Sequence, residues 1–207
     1  MNFTDFFLLD KLVLNLEIET MLSEDDSSLA DLGTALRALQ NAATGTSAPL
    51  EVAAEVAEAI NKITELLRPF NCPVESLGRD FDTYVRARAA HTLQPIFHEL
   101  HRNKNESVEF SVRFAMFHRN PFGQVHGGAI AMMFDSSIAR LGLDGEKRFL
   151  TANLSVDYRA AAPIDVDLIV KMRVARSEGR KRFIEGELSH GDVLVAEVHA
   201  LFIEARS

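Results

Sequence analysis

Up to about His101 the apolar residues recur every three or four positions. SSLADLGTALRALQ (27–40) and PLEVAAEVAEAINKITELL (49–67) place good helix formers between them, which predicts two amphipathic helices. Ser27 or Ser28 can cap the first. Thr44, Gly45, Thr46 and Ser47 read as a loop, and Pro49 suits the first turn of the second helix. RPFNCPVESLGRD is a break marked by Pro and Gly. DFDTYVRARAAHTLQPIFHELH then resumes a helical period that Pro95 kinks or ends. Residues 1–103 are therefore expected to form a helical region whose apolar stripes pack on something.

From Ser107 the period changes to two. VEFSVRFAMF, FLTANLSVDYRA, DVDLIVKMRVA, KRFIEGELSH and DVLVAEVHALFIEA are five strand-like runs, rich in Val, Ile and Phe and often alternating with charge. The short links SEGR and HGD join the last three into an antiparallel meander. Between the first and second strands lies GGAIAMMFDSSIARLG, apolar nearly all the way round and closed by Gly142 as a C-cap. Such a helix is expected to be covered on most sides, and a sheet curled around it is the simplest cover. The expectation for 104–207 is an α+β domain with one strand, a helix, then four strands.

Composition narrows the class. At 207 residues with 47% hydrophobic side chains, the chain can bury one or two cores without staples. Its single cysteine, Cys72, excludes an internal disulfide and supplies no metal-ligand spacing, which suits a reducing cytoplasm. Asp5, Asp10, Lys11, Glu17 and Glu19 interrupt the apolar start, so no membrane span is expected there, nor a signal or transit peptide, since Lys11 is the only cation before Arg37. Residues 1–100 hold 7 basic against 16 acidic side chains, and 101–207 hold 15 against 14. The acidic half repels phosphate backbones, so nucleic acid is not an expected partner.

Two features of the central helix bear on chemistry. Asp135 stands among Met and Phe, where a lone carboxylate is costly unless it is paired, hydrated or reaches a cleft. It either serves a reaction or bonds a neighbouring strand across a polar gap. Gly127 and Gly128 leave the helix N-terminus bare of side chains, either for a tight entry or so that unpaired N–H groups can hold a carbonyl oxygen or an oxyanion. Eight residues separate Gly127 from Asp135, about 12 Å along the axis. One helix cannot bring both to a single carbonyl, whereas two helices antiparallel across a two-fold axis can.

Asn120-x-x-Gly123-x-x-His126-Gly127-Gly128 followed by Asp135 resembles the signature of PaaI-like hotdog thioesterases, and the likeness continues through Thr151 and Asp157-Tyr158 into the C-terminal meander. It covers roughly the last hundred residues. The resemblance implies that Asp135 activates water or attacks the thioester carbon, that Gly127 polarises the thioester oxygen, that His126 and Asn120 shape that corner, and that Thr151 steadies Asp135. It implies an acyl-coenzyme A substrate, with no further cofactor and no metal. The coenzyme A groove would run past Gly128, Tyr158, Arg159, Ala160, Ala161, Ala162, Pro163 and Arg176. A homodimer with shared sites, alone or doubled into a tetramer, is the implied assembly.

Each position also has a plainer reading. His126 can be a helix-entry histidine bonded to backbone, Asn120 a turn residue, Thr151 a strand former, and the arginines ordinary surface charges. Three departures or alternatives remain. The loop AAAPIDVD lacks the Gly that many relatives carry close to Asp165, and the helical first half is much longer than the N-terminal element of minimal members. A non-catalytic acyl-coenzyme A binding or sensing module would use the same dimer.

Overall fold

A computed structural model describes residues 24–70, 93–103, 106–139, 141 and 149–205. Cys72, Arg140, Gly142 and the residues 71–92 read as a break and a third helix lie outside the described residues. The chain divides into two compact units, Met1–Thr92 and Leu93–Ser207.

In the first unit, α1 spans Glu24–Gly45 and α2 spans Leu50–Leu67, with a short 3-10 turn at Arg68–Phe70. Both helices fall where the three-and-four spacing predicts them. Their starts differ: Ser27 and Ser28 lie inside α1, and Pro49 precedes α2 in an extended conformation with its carbonyl accepting the Ala53 N–H. No residue of α2 is buried, and Val52, Val56, Ile63, Leu66 and Phe70 are exposed.

In the second unit, β1 (Ile96–Asn103), β2 (Ser107–Arg113), α3 (Gly127–Ala139), β3 (Phe149–Tyr158), β4 (Asp167–Glu178), β5 (Lys181–His190) and β6 (Val193–Glu204) follow in chain order. All pairings are antiparallel, and the sheet order is β1-β2-β4-β5-β6-β3. This is the expected hotdog arrangement of an antiparallel sheet with a helix against it. One strand was not anticipated: Ile96–Asn103 carries a helical spacing after Pro95, yet it pairs with β2 from Ile96 opposite Arg113 to Asn103 opposite Ser107. Backbone pairing with an available sheet edge outweighs weak local propensity there.

Alternation places the core on one face of the sheet. Val108, Phe110 and Val112 on β2, Leu168, Val170 and Met172 on β4, Ile184 and Leu188 on β5, and Ala196, Val198, Ala200 and Phe202 on β6 are buried. From α3 they receive Ile130, Met133, Phe134 and Ile138, a stripe at helical spacing. Gly186 interrupts the β5 row because a Cβ there would lie 2.9 Å from the Lys171 carbonyl and 2.2 Å from Met172 Sδ. The far side of α3 departs from the expectation of cover on most sides, for Ala131, Met132 and Ser136 are only partly buried and Asp135 is exposed. Asp135 is thus not desolvated within one chain. The strand beside it, β3, is one of the two edge strands of the sheet, with β1 at the other edge.

Candidate functional site

The approach to α3 is built by hydrogen bonds from Arg119 onward. Asn120 forms a turn in which its side-chain oxygen accepts the N–H groups of Phe122 (2.9 Å) and Gln124 (3.1 Å). Its own N–H donates to the Gln124 carbonyl at 2.7 Å. Gly123 sits in this turn with φ of 80°, a conformation that favours glycine. Val125 N–H then donates to the Ala162 carbonyl, and His126 N–H to the His118 carbonyl, which fixes where the helix begins.

His126 caps that beginning. Its Nδ1 accepts the Gly128 N–H at 2.9 Å, and its carbonyl accepts the N–H of Ala129 at 2.9 Å and of Ile130 at 3.3 Å. Among the described residues the Gly127 N–H finds no acceptor. It is the one amide of this first turn left for a ligand, at the positive end of the helix dipole.

Eight residues on, Asp135 projects from the exposed side of α3. Thr151 on β3 donates its hydroxyl to Asp135 Oδ1 at 2.7 Å, leaving the second carboxylate oxygen open. A bulge in the pairing of β3 with β6 falls between Thr151 and Asn153 and sets the local direction of the strand. Asp135 and Thr151 therefore come together, while Gly127 stands at the other end of the same helix with His126 and Tyr158.

The expected coenzyme A residues fall into two places. Tyr158 closes β3, and its hydroxyl donates to the Gly127 carbonyl at 2.8 Å. Arg159 follows, paired with Glu197 at 2.6 Å and with Asp157 at 3.5 Å. Its guanidinium is held above its ordinary value, first by the Glu197 hydrogen bond. Arg159 and Ala160 donate their N–H groups to the Val195 carbonyl, and Ala162 is buried ahead of Pro163, whereas Ala161 is exposed. Asp165 adopts a left-handed φ of 61°, so the position near which a glycine was expected does need that conformation, and an aspartate tolerates it. Arg176 lies apart at the far end of β4, bonded to Glu178 and stacked 3.7 Å over Phe183.

Two elements of the site carry no sequence signal. His118 is buried, with Nδ1 accepting the Ala115 N–H and Nε2 bonded to the Leu93 carbonyl, so it ties the start of the domain to the turn before α3. The Tyr158 to Gly127 bond joins residues 31 apart. No spacing rule reaches either. A cavity of about 310 Å³ lies elsewhere, lined by Glu109, Lys171, Arg173, Glu187 and His199 on positions that alternate with the core, and it includes none of the site residues. Among the described residues no group of three His, Cys, Asp or Glu is placed to hold a metal ion, and no helix is long and apolar enough to cross a membrane.

Residues 122–197 match the model of the thioesterase superfamily. A Xenopus laevis protein named acyl-coenzyme A thioesterase THEM4 is 40% identical over 86 residues, 41% of this chain and 39% of its own length. A Candida albicans protein named only as uncharacterized and mitochondrial is 30% identical over 93 residues, 41% of this chain and 42% of its own. The chain thus matches about two fifths of the length of these relatives. Among solved structures, the crystal structure of a thioesterase superfamily protein superposes with a TM-score of 0.68 at 22% identity, covering 84% of this chain and 90% of that one, which is a likeness of fold.

Proposed function

We propose that this protein hydrolyses acyl-coenzyme A thioesters at sites shared between two copies of the chain, a reading supported by the match of residues 122–197 to the thioesterase superfamily. The observation that carries the reading is the split of one helix into two half-sites: a Thr151-held carboxylate at Asp135, and an unengaged N–H at Gly127. At about 12 Å apart along the axis they cannot meet one carbonyl, but a second α3 running antiparallel supplies each with its complement. The exposed side of α3 and the free edge of β3 are the surfaces such a copy would cover.

In the proposed reaction the thioester oxygen rests on the Gly127 N–H of one copy while Asp135 of the other acts on the carbonyl carbon. Asp135 either takes a proton from water, whose oxygen then attacks, or attacks directly to give an anhydride that water opens. The carbon–sulfur bond breaks and the thiolate leaves, so acid and coenzyme A are the products. A thioester carbonyl is poorly resonance-stabilised and thiolate leaves readily, so a base and an oxyanion donor suffice without a metal. The name borne by the Xenopus laevis relative supports acyl-coenzyme A as the substrate class. Cytoplasmic placement belongs to the same proposal, with a mitochondrial site the outcome that fractionation would substitute, as one relative's name suggests.

The test is thiol release from short, long and aromatic acyl-coenzyme A esters by the wild type and by Asp135→Asn. Turnover of at least one ester by the wild type and its near-complete loss in the variant supports the reading. Binding of coenzyme A without turnover by either would make the protein a sensing or carrier module instead.

A further inference from the structure

The N-terminus of α3 begins with two glycines, which lack side chains and lose the most conformational freedom when ordered. A donor on such a segment polarises a carbonyl well only if it is held before substrate arrives. The peptide planes on either side of the Gly127 Cα are held. In the preceding plane the His126 carbonyl accepts from Ala129 and Ile130, leaving the Gly127 N–H as that plane's outward group. In the following plane the Gly128 N–H is taken by His126 Nδ1, and the Gly127 carbonyl by the Tyr158 hydroxyl.

Tyr158 does more than donate. Its ring lies against Gly127 so closely that a Cβ there would meet Cζ at 3.2 Å, Oη at 3.3 Å and Cε1 at 3.4 Å. The hydroxyl and the ring thus close on one residue, although Tyr158 is 52% exposed and comes from the opposite end of a strand. Three of the four polar groups in these two planes are engaged, and the fourth is the proposed oxyanion donor.

We infer that Tyr158 is a positioning residue, which clamps the Gly127 peptide so that its N–H stays aimed at the reacting carbonyl, and that gripping coenzyme A is not its main role. The inference rests on the hydrolase reading above for its catalytic meaning, but the clamp itself is a property of the free protein. Tyr158→Phe tests it, since that change keeps the ring against Gly127 and removes only the hydroxyl.

Two readouts separate the outcomes. Amide resonances of the 15N-glycine-labelled full chain report the clamp directly: the Gly127 amide is expected to shift and broaden in Tyr158→Phe, with Gly179 and Gly191 unmoved. Steady-state hydrolysis should show kcat falling about tenfold with KM within about twofold, the size of a lost hydrogen bond felt in the transition state. An unmoved Gly127 amide overturns the clamp whatever the activity. A raised KM at unchanged kcat overturns it in favour of substrate binding. Absence of turnover in the wild type would instead remove the hydrolase reading, and the amide measurement would still decide the clamp.

Discussion

Thr151 Oγ1 lies 2.7 Å from Asp135 Oδ1, so the hydroxyl of an edge strand fixes one oxygen of the helix carboxylate and leaves the other open. An exposed carboxylate would otherwise sample several rotamers. Thr151→Ala should lower kcat about tenfold with little change in KM, and Thr151→Ser should recover most of the loss. Initial rates over a substrate series check this. Equal loss in both variants would mean that the methyl group, not the hydroxyl bond, matters.

His126 has a measurable structural role apart from any reaction. Replacing it with Ala removes the acceptor of the Gly128 N–H and should lower unfolding free energy by about 1 kcal/mol, as for other helix caps. Urea denaturation gives the value. Asn retains an acceptor at this position and should restore most of the stability.

Gly186→Ala tests the core. A methyl group placed 2.9 Å from a backbone carbonyl and 2.2 Å from Met172 Sδ requires Met172 to turn away and the β4–β5 pair to part slightly. A loss of about 1–3 kcal/mol is expected. Thermal unfolding of the variant beside Gly186→Ala/Met172→Ala separates the contributions, since the double change frees the space but not the carbonyl contact.

One ion pair predicts a pH dependence. Arg113 bonds Asp167 at 2.9 Å across the β2–β4 pairing and holds its carboxyl below the ordinary value, chiefly through that hydrogen bond. A depressed folded-state value means that the pair contributes its full stability above the unfolded carboxylate pKa of about 3.9 and loses it as pH falls through the folded value. Both side chains are about half exposed, so the effect is small. The gap in urea midpoint between wild type and Asp167→Asn should narrow from pH 6 to pH 3; a gap that stays constant would contradict the pairing.

The meander was legible because Val, Ile and Phe alternate with charge along β4, β5 and β6, and the turns at Gly179 and Gly191 use the positive φ that glycine allows. The strand Ile96–Asn103 was not, since IFHELHRN has neither clean alternation nor β-branched density and its state is decided by the edge of β2. Asp135 and Gly127 could be singled out by residue type and helical distance. The exposure of Asp135 could not, because the apolar residues around it distribute over two faces of α3 and only one meets this chain's sheet. Arg159 and Arg176 were expected along a coenzyme A groove or as ordinary surface charges, and their pairing with Glu197 and Glu178 has no local sequence signal.

The proposed shared site is tested most directly by complementation. Asp135→Asn removes one half-site, and Gly127→Pro removes the N–H of the other while fitting the first helical position, provided the Tyr158 ring yields a few tenths of an ångström. Each variant alone should be nearly inactive. Co-expressed with two affinity tags and mixed at random, they should form hybrid dimers with one intact site each, giving about a quarter of wild-type turnover overall. Activity no greater than that of the single variants, in hybrids shown to contain both chains, would contradict a site built from Gly127 of one copy and Asp135 of the other.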